Sequence, residues 1–298
     1  MTAENQQINT YLNLIDKQIE GNQGKNLLLQ QGAHLSFVDE TIRALSSVGN
    51  LSPHMESVLV AYASEKTIEE FCRINQYFTF DSEARRQLET LYRNLFANIK
   101  AQSEPNDTVA AKHYQALSQW LVQTNPFAQP LYAASPTDLQ PVACAEYSAQ
   151  LQCQILQIIA PMQPVLDIGC GKQAHLVAHL RQQNIEAYGF DRFAFQSDHL
   201  FTADWLEYDY GTNKWGTIVS NLGFSNHFRH HHLRADGNFM GYAQKYMDIL
   251  NALQVGGSFH YAPEVPFIET YLDRHTYRIH KVETPQSNLQ ATIITRLK

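Results

Sequence analysis

Val165-Leu166-Asp167-Ile168-Gly169-Cys170-Gly171-Lys172 is an apolar run that breaks into a glycine turn. A helical stretch follows, and then Tyr188-Gly189-Phe190-Asp191. The order is strand, turn, helix, and second strand ending in an acid. Gly169 and Gly171 let the backbone turn sharply and approach a ligand with no side chain between them. Asp191 stands where a carboxylate takes both hydroxyls of a ribose. The spacing therefore predicts a nucleoside-containing cofactor. A dinucleotide fingerprint needs a third glycine where this chain has Ala174, so a pyrophosphate cradle is weakly supported. A P-loop is excluded, because no Gly-Lys-Ser or Gly-Lys-Thr closes a four-residue gap.

Downstream of this stretch, short apolar runs alternate with helical patterns. Strands are expected at Pro164–Ile168, Glu186–Asp191, Thr217–Leu222, Ser258–Ala262, Tyr277–Glu283 and Gln290–Leu297. Helices are expected at Ala174–Gln183, Tyr242–Leu253 and Pro266–Leu272. Such alternation implies βαβ units and a largely parallel sheet. Val255-Gly256-Gly257 reads as a helix stop and the turn into the next strand. The last two strands, joined by Thr284-Pro285-Gln286-Ser287-Asn288, read as an antiparallel hairpin. Upstream, helical stripes dominate. Ala110, Tyr114, Leu117 and Leu121 share one helix face, as do Tyr147, Leu151, Ile155 and Ile158. The expected organisation is an all-helical region over 1–143, covering the site or selecting substrate, and a cofactor-binding α/β domain over 144–298.

The formal charge is −7 and no long basic run occurs. A protein that grips nucleic acid through many phosphates is therefore not expected. No stretch reaches the ~20 apolar residues of a membrane span, and the first residues carry no secretory pattern. The four cysteines are widely spread and suggest neither a zinc site nor a disulfide framework. A cytoplasmic setting, a small-molecule substrate, a possible homodimer and no nucleic acid or membrane partner are the resulting expectations.

Residues 144–298 resemble the class I S-adenosylmethionine-dependent methyltransferases, a Rossmann-like α/β fold with a C-terminal antiparallel hairpin. The resemblance implies that Asp167, Gly169 and Gly171 contact the methionine part of S-adenosylmethionine and that Asp191 holds its ribose. It also implies that Asp204 meets the adenine amino group, with Trp205 or Leu206 offering an apolar face to the ring. Many members that methylate amines carry two prolines after the fourth strand. This chain has Ser220-Asn221-Leu222-Gly223-Phe224-Ser225-Asn226-His227-Phe228 there. An exocyclic amine of DNA is accordingly a poor substrate expectation.

Histidine carries protons near neutral pH. His227, nearest the strand end, is the candidate base, while His230, His231 and His232 are expected to structure a loop. No metal is predicted, since adjacent histidines cannot converge on one ion. The helix beginning near Ala145 offers Glu146 and Tyr147 as a second base and a ligand contact, and Asn221 and Ser225 can orient a nucleophile. Three functions follow. Methyl transfer to a small acceptor has the highest base rate for the fold. Displacement at the cofactor's Cγ would release methylthioadenosine and give azetidine-2-carboxylate or an aminobutyryl conjugate. The helical region and the Phe224–Phe228 stretch look similar to nicotianamine synthase-like and azetidine-2-carboxylate synthase enzymes in this respect. The third is a non-catalytic binding subunit.

Overall fold

The structure is a computed structural model that describes residues 3–29, 35–44, 51–133, 139, 147–193, 196–284 and 289–298. The chain divides into two units, Met1–Cys144 and Ala145–Lys298. The first contains helices α1 (Ala3–Gly21), α2 (Asp39–Ala44), α3 (Pro53–Ile74), α4 (Ser82–Ala101), α5 (Asn106–Thr124) and α6 (Ala128–Tyr132). Their starts are chemically marked. Ser52 accepts from the Met55 amide ahead of Pro53, and Asp81 accepts from the Ala84 amide. The expected stripe on α5 is buried at Ala110, Leu117 and Leu121. Aromatic packing joins the α3–α4 connection to α5, with Phe80 stacked on Trp120 at 4.9 Å and the Trp120 indole donating to the Ala84 carbonyl of α4.

The second unit is a seven-stranded sheet. Its elements are α7 (Ala149–Leu156), β1 (Val165–Ile168), α8 (His175–Gln182), β2 (Ala187–Asp191), β3 (Leu200–Thr202) and β4 (Trp215–Asn221). They continue with α9 (Phe224–His232), α10 (Phe239–Ala252), β5 (Leu253–Ala262), α11 (Pro266–Glu269), β6 (Tyr277–Glu283) and β7 (Gln290–Arg296). The strand order is β3-β2-β1-β4-β5-β7-β6. The first five strands are parallel, and β7 pairs antiparallel with both β5 and β6. This is a Rossmann-like α/β sheet with the expected C-terminal antiparallel hairpin. Every residue of β1 is buried, as a central parallel strand between helical layers requires. Among the described residues, no helix is long and apolar enough to cross a membrane.

Several local expectations are corrected. Helix α7 begins at Ala149, because the Ser148 side chain caps it by accepting from the Leu151 amide. Tyr147 therefore precedes the helix, and Glu146 lies outside the described residues, as do 285–288 of the hairpin turn. The glycines at 256–257 do not start a strand. They lie within β5, where the pairing jumps from Trp215↔Leu253 to Thr217↔Ser258, and a Cβ on Gly257 would come 2.7 Å from the Gly216 carbonyl. Strand β3 is short, with Phe201 and Thr202 exposed, so it carried no apolar alternation to detect.

The histidine run is a helix rather than a loop. Phe224, His227, Phe228 and His231 recur at i, i+3, i+4 and i+7 and form the buried face of α9. His231 accepts from the Asn238 amide through Nδ1 and stacks on Tyr242 at 4.7 Å. Burial, then the His230 and Arg234 charges, pushes its imidazole down to about 4. An unfolded histidine titrates near 6.5, so the unfolded chain binds the extra proton between these values. The stability from His231 is complete above about pH 6.5 and is lost as the pH falls towards 4. His231→Phe should remove this slope and, by stranding the Asn238 amide, cost about 1–3 kcal/mol at pH 7. Denaturant melts at pH 5 and 7 measure both effects. An unchanged slope would take His231 out of this role.

Candidate functional site

Open parallel sheets take ligands beyond the C-terminal ends of their strands. In this sheet the ends of β2, β1 and β4 are adjacent. Gly169 and Gly171 follow β1 with φ of 75° and 74°, the left-handed region that glycine enters without steric cost. The amides of Gly169 and Cys170 donate to the Phe190 carbonyl at 2.9 and 3.1 Å. The Gly171 amide donates to Asp191 Oδ2 at 3.2 Å, and the Phe193 amide donates to Asp191 Oδ1 at 3.0 Å. Asp191 thus ties the glycine turn to the end of β2. A Cβ on Gly171 would meet nothing within 4 Å, so this turn borders open space. A Cβ on Gly169 would lie 3.3 Å from Trp205 Cζ3.

Three buried polar atoms in β1, at the end of β4 and at the start of α9 have no hydrogen-bond partner: Asp167 Oδ2, Asn221 Oδ1 and Ser225 Oγ. Each such atom costs about 1–3 kcal/mol when left unsatisfied. The chain leaves β4 through Leu222 at φ 56°, a conformation that is costly for a branched residue. Ser220 stabilises this exit. Its hydroxyl donates to the Ile168 carbonyl at 2.9 Å and accepts from the Phe224 amide at 3.1 Å. Ser220 had not been singled out, although a hydroxyl inside an apolar strand is a visible signal. Trp205 forms one wall. Its indole donates to Tyr242 Oη at 3.2 Å, and its ring meets His227 edge-on at 4.6 Å.

The structure brings together Asp167, Gly169, Gly171 and Asp191, and separately Trp205 with Gly169 and His227. His227 sits one turn into α9 and is 2% exposed. Asp204, beyond β3, accepts from the Leu206 amide at 2.7 Å. Tyr147 packs on an apolar cluster containing Ile155, Val177 and Val219. His230 contacts Arg234 at 3.0 Å and His232 stacks on Phe267 at 3.9 Å, so both serve the structure around α9.

Burial, with the Asp191 charge second, pushes the Asp167 carboxyl up to about 8. An unfolded aspartate ionises near 3.9. Between these values the folded state holds the extra proton, so stability falls as the pH rises through the window. Asp167→Asn stays neutral throughout. Its melting temperature should exceed that of the native chain at pH 8–9 and match it near pH 4. A pH series of thermal melts checks this, and parallel curves for the two proteins would exclude the coupling.

No family model matches the chain, and no curated protein matches it in sequence. Solved structures are similar in fold. They include a SAM-dependent methyltransferase from Bacteroides fragilis in complex with S-adenosyl-L-homocysteine (10% identity, 55% of this chain and 86% of that chain, TM-score 0.38). The N-methyltransferase NodS from Bradyrhizobium japonicum is another (13%, 50% and 93%, TM-score 0.34). A third is an rRNA methylase from Streptococcus thermophilus (12%, 52% and 100%, TM-score 0.36). The likeness to these methyltransferases is one of fold. The rRNA methylase corrects one expectation. Nucleic-acid substrates occur within this fold, so the exclusion of a nucleic-acid partner is withdrawn. Its physical weakness is plain, since a net charge of −7 is a whole-chain sum and does not describe the surface beside one site.

Proposed function

We propose that residues 145–298 bind S-adenosylmethionine and that the chain is a transferase moving the cofactor's methyl group to an acceptor nucleophile. The observation that carries this reading is the set of partnerless buried atoms, Asp167 Oδ2 in β1, Asn221 Oδ1 at the end of β4 and Ser225 Oγ at the start of α9, together with the glycine turn after β1 that borders open space at Gly171. The Asn221 amide oxygen is an obligate acceptor, whereas the Asp167 carboxyl, neutral below about pH 8, and the Ser225 hydroxyl can each donate or accept. In this reading Asp191 takes the ribose hydroxyls and Asp204 the adenine amino group. When bound, S-adenosylmethionine supplies a methyl carbon on a sulfonium, an electrophile that requires mainly alignment and exclusion of water. Asn221 and Ser225 orient the incoming nucleophile, and His227 is the proton acceptor from α9. Trp205 closes the site against solvent.

The test incubates the full chain with S-adenosylmethionine alone, with small amines and thiols, and with RNA, and follows the products by mass spectrometry. S-adenosylhomocysteine formed together with a methylated acceptor supports methyl transfer, and the arm in which it forms gives the acceptor class. Methylthioadenosine released without any acceptor would instead place the reaction at the cofactor's Cγ, where Asn221 and Ser225 would orient its own amine. Absence of calorimetric binding would overturn the cofactor assignment itself.

A further inference from the structure

The helical unit contains a cavity of about 170 Å³ among α1, α2, α3, α4 and α5. Its wall is almost entirely hydrocarbon, with Leu59 and Ala63 from α3, Phe96 from α4 and Leu117 from α5. Packed interiors hold few voids larger than a water molecule. A dry apolar cavity of about 150 Å³ accepts a single aromatic ring. Leu14, Ile15 and Ile19 of α1 line this cavity and are only partly buried, so one side lies near solvent.

His113 also lines the wall. His113 is 8% exposed, and its Nδ1 has no hydrogen-bond partner. Its ring is held between Tyr92 and Tyr114, with centroids at 5.1 and 5.2 Å. Those tyrosines are themselves engaged. Tyr92 Oη bonds Thr67 Oγ1 at 2.5 Å, and Tyr114 Oη accepts from Gln18 and Asn22. Burial pushes His113 down to about 4, so the ring is neutral at pH 7. The charged residues on the wall already have partners. Glu70 holds Arg73 at 2.7 Å, and Lys25 donates to Asn22 Oδ1. A charged ligand would find no counter-ion there, whereas an apolar body with one hydrogen-bonding group matches both features of the wall.

We propose that the helical unit has its own binding site, for a small uncharged molecule of one ring or a short chain bearing a hydroxyl that meets His113 Nδ1. A hydroxyl fits because it donates or accepts, and so serves either imidazole tautomer. This site is separate from the cofactor reading and does not depend on it.

Benzyl alcohol and toluene, alike in shape apart from the hydroxyl, are titrated into the full chain by calorimetry, with thermal melts as a second readout. Saturable 1:1 binding is expected, with benzyl alcohol preferred several-fold and the melting temperature rising with its concentration. Ala63→Leu fills the cavity and should weaken both ligands at least tenfold. His113→Phe keeps a ring in place but removes the hydrogen bond. It should abolish the preference for the alcohol while toluene still binds. Far-UV circular dichroism establishes that each variant is folded, and should Ala63→Leu fail, His113→Phe decides alone. No saturable binding to the native chain would overturn the proposal. So would benzyl alcohol affinity unchanged in the variants, or an alcohol preference that survives His113→Phe.

Discussion

Asp191→Ala is expected to weaken S-adenosylmethionine binding by on the order of 10²-fold or more. A hydrogen bond to a charged group contributes about 1.5–3 kcal/mol, two ribose hydroxyls are involved, and each 1.4 kcal/mol is a factor of ten. The Gly171 and Phe193 amides lose their acceptor in the same variant, which loosens the turn that faces the ligand. Calorimetric titration measures the loss. Asp191→Asn is the graded control, since it keeps one acceptor oxygen without the charge. Gly169→Val tests the same pocket from its other side, because φ is 75° there and the new side chain would press on Trp205. Unchanged affinity in both Asp191→Ala and Gly169→Val would remove the pocket from this part of the sheet. Asp191→Ala should also bring the Asp167 carboxyl down, because the Asp191 charge is the second cause of its elevation.

His227→Asn is expected to slow turnover by ~10²–10⁴-fold, the usual scale for positioned acid–base catalysis, with cofactor affinity changed far less. The pH profile distinguishes a base from a wall. His227 packs edge-on against Trp205, so its replacement also disturbs that ring. If the rate falls and an ionisation disappears from the profile, His227 moves the proton. If the rate falls while the profile keeps its shape, His227 acts by holding Trp205. Glu146→Gln is the matching variant. Loss of activity there, with His227→Asn still active, transfers the base to Glu146. If neither variant slows turnover, the nucleophile arrives neutral and the site works by alignment.

The strands flanking the glycine turn were legible because their chemistry is local. A buried parallel strand needs a continuous apolar run, and its turn needs glycines. Val165–Ile168 with Gly169 and Gly171 supplies both within eight residues. The hairpin was equally visible, with β6 starting and ending where the alternation does. Strand β3 was hidden because a three-residue edge strand is held by pairing to β2 rather than by its own pattern. Helix α9 was missed for another reason. Histidine was weighed as a reactive group, although Phe224, His227, Phe228 and His231 carry the helical period openly. The polar atoms at Asn221 and Ser225 were identifiable as candidates, but their burial without partners depends on Ser220 and the left-handed Leu222, which fix how the chain leaves β4.

The two backbone amides on Asp191 also bear on which nucleosides this chain refuses. A carboxylate offers about four lone-pair sites, and Gly171 and Phe193 each occupy one. What remains accepts two hydroxyl protons, which is the demand of an unmodified ribose. A nucleotide phosphorylated at the 2′ position has no proton to give at that oxygen, and it sets a dianion against Asp191, with Asp167 close enough for its carboxyl to be raised by the same charge. If Asp191 takes a ribose in this way, a 2′-phosphorylated nucleotide would meet repulsion from that carboxylate, with the neighbouring Arg192 the residue that would oppose it.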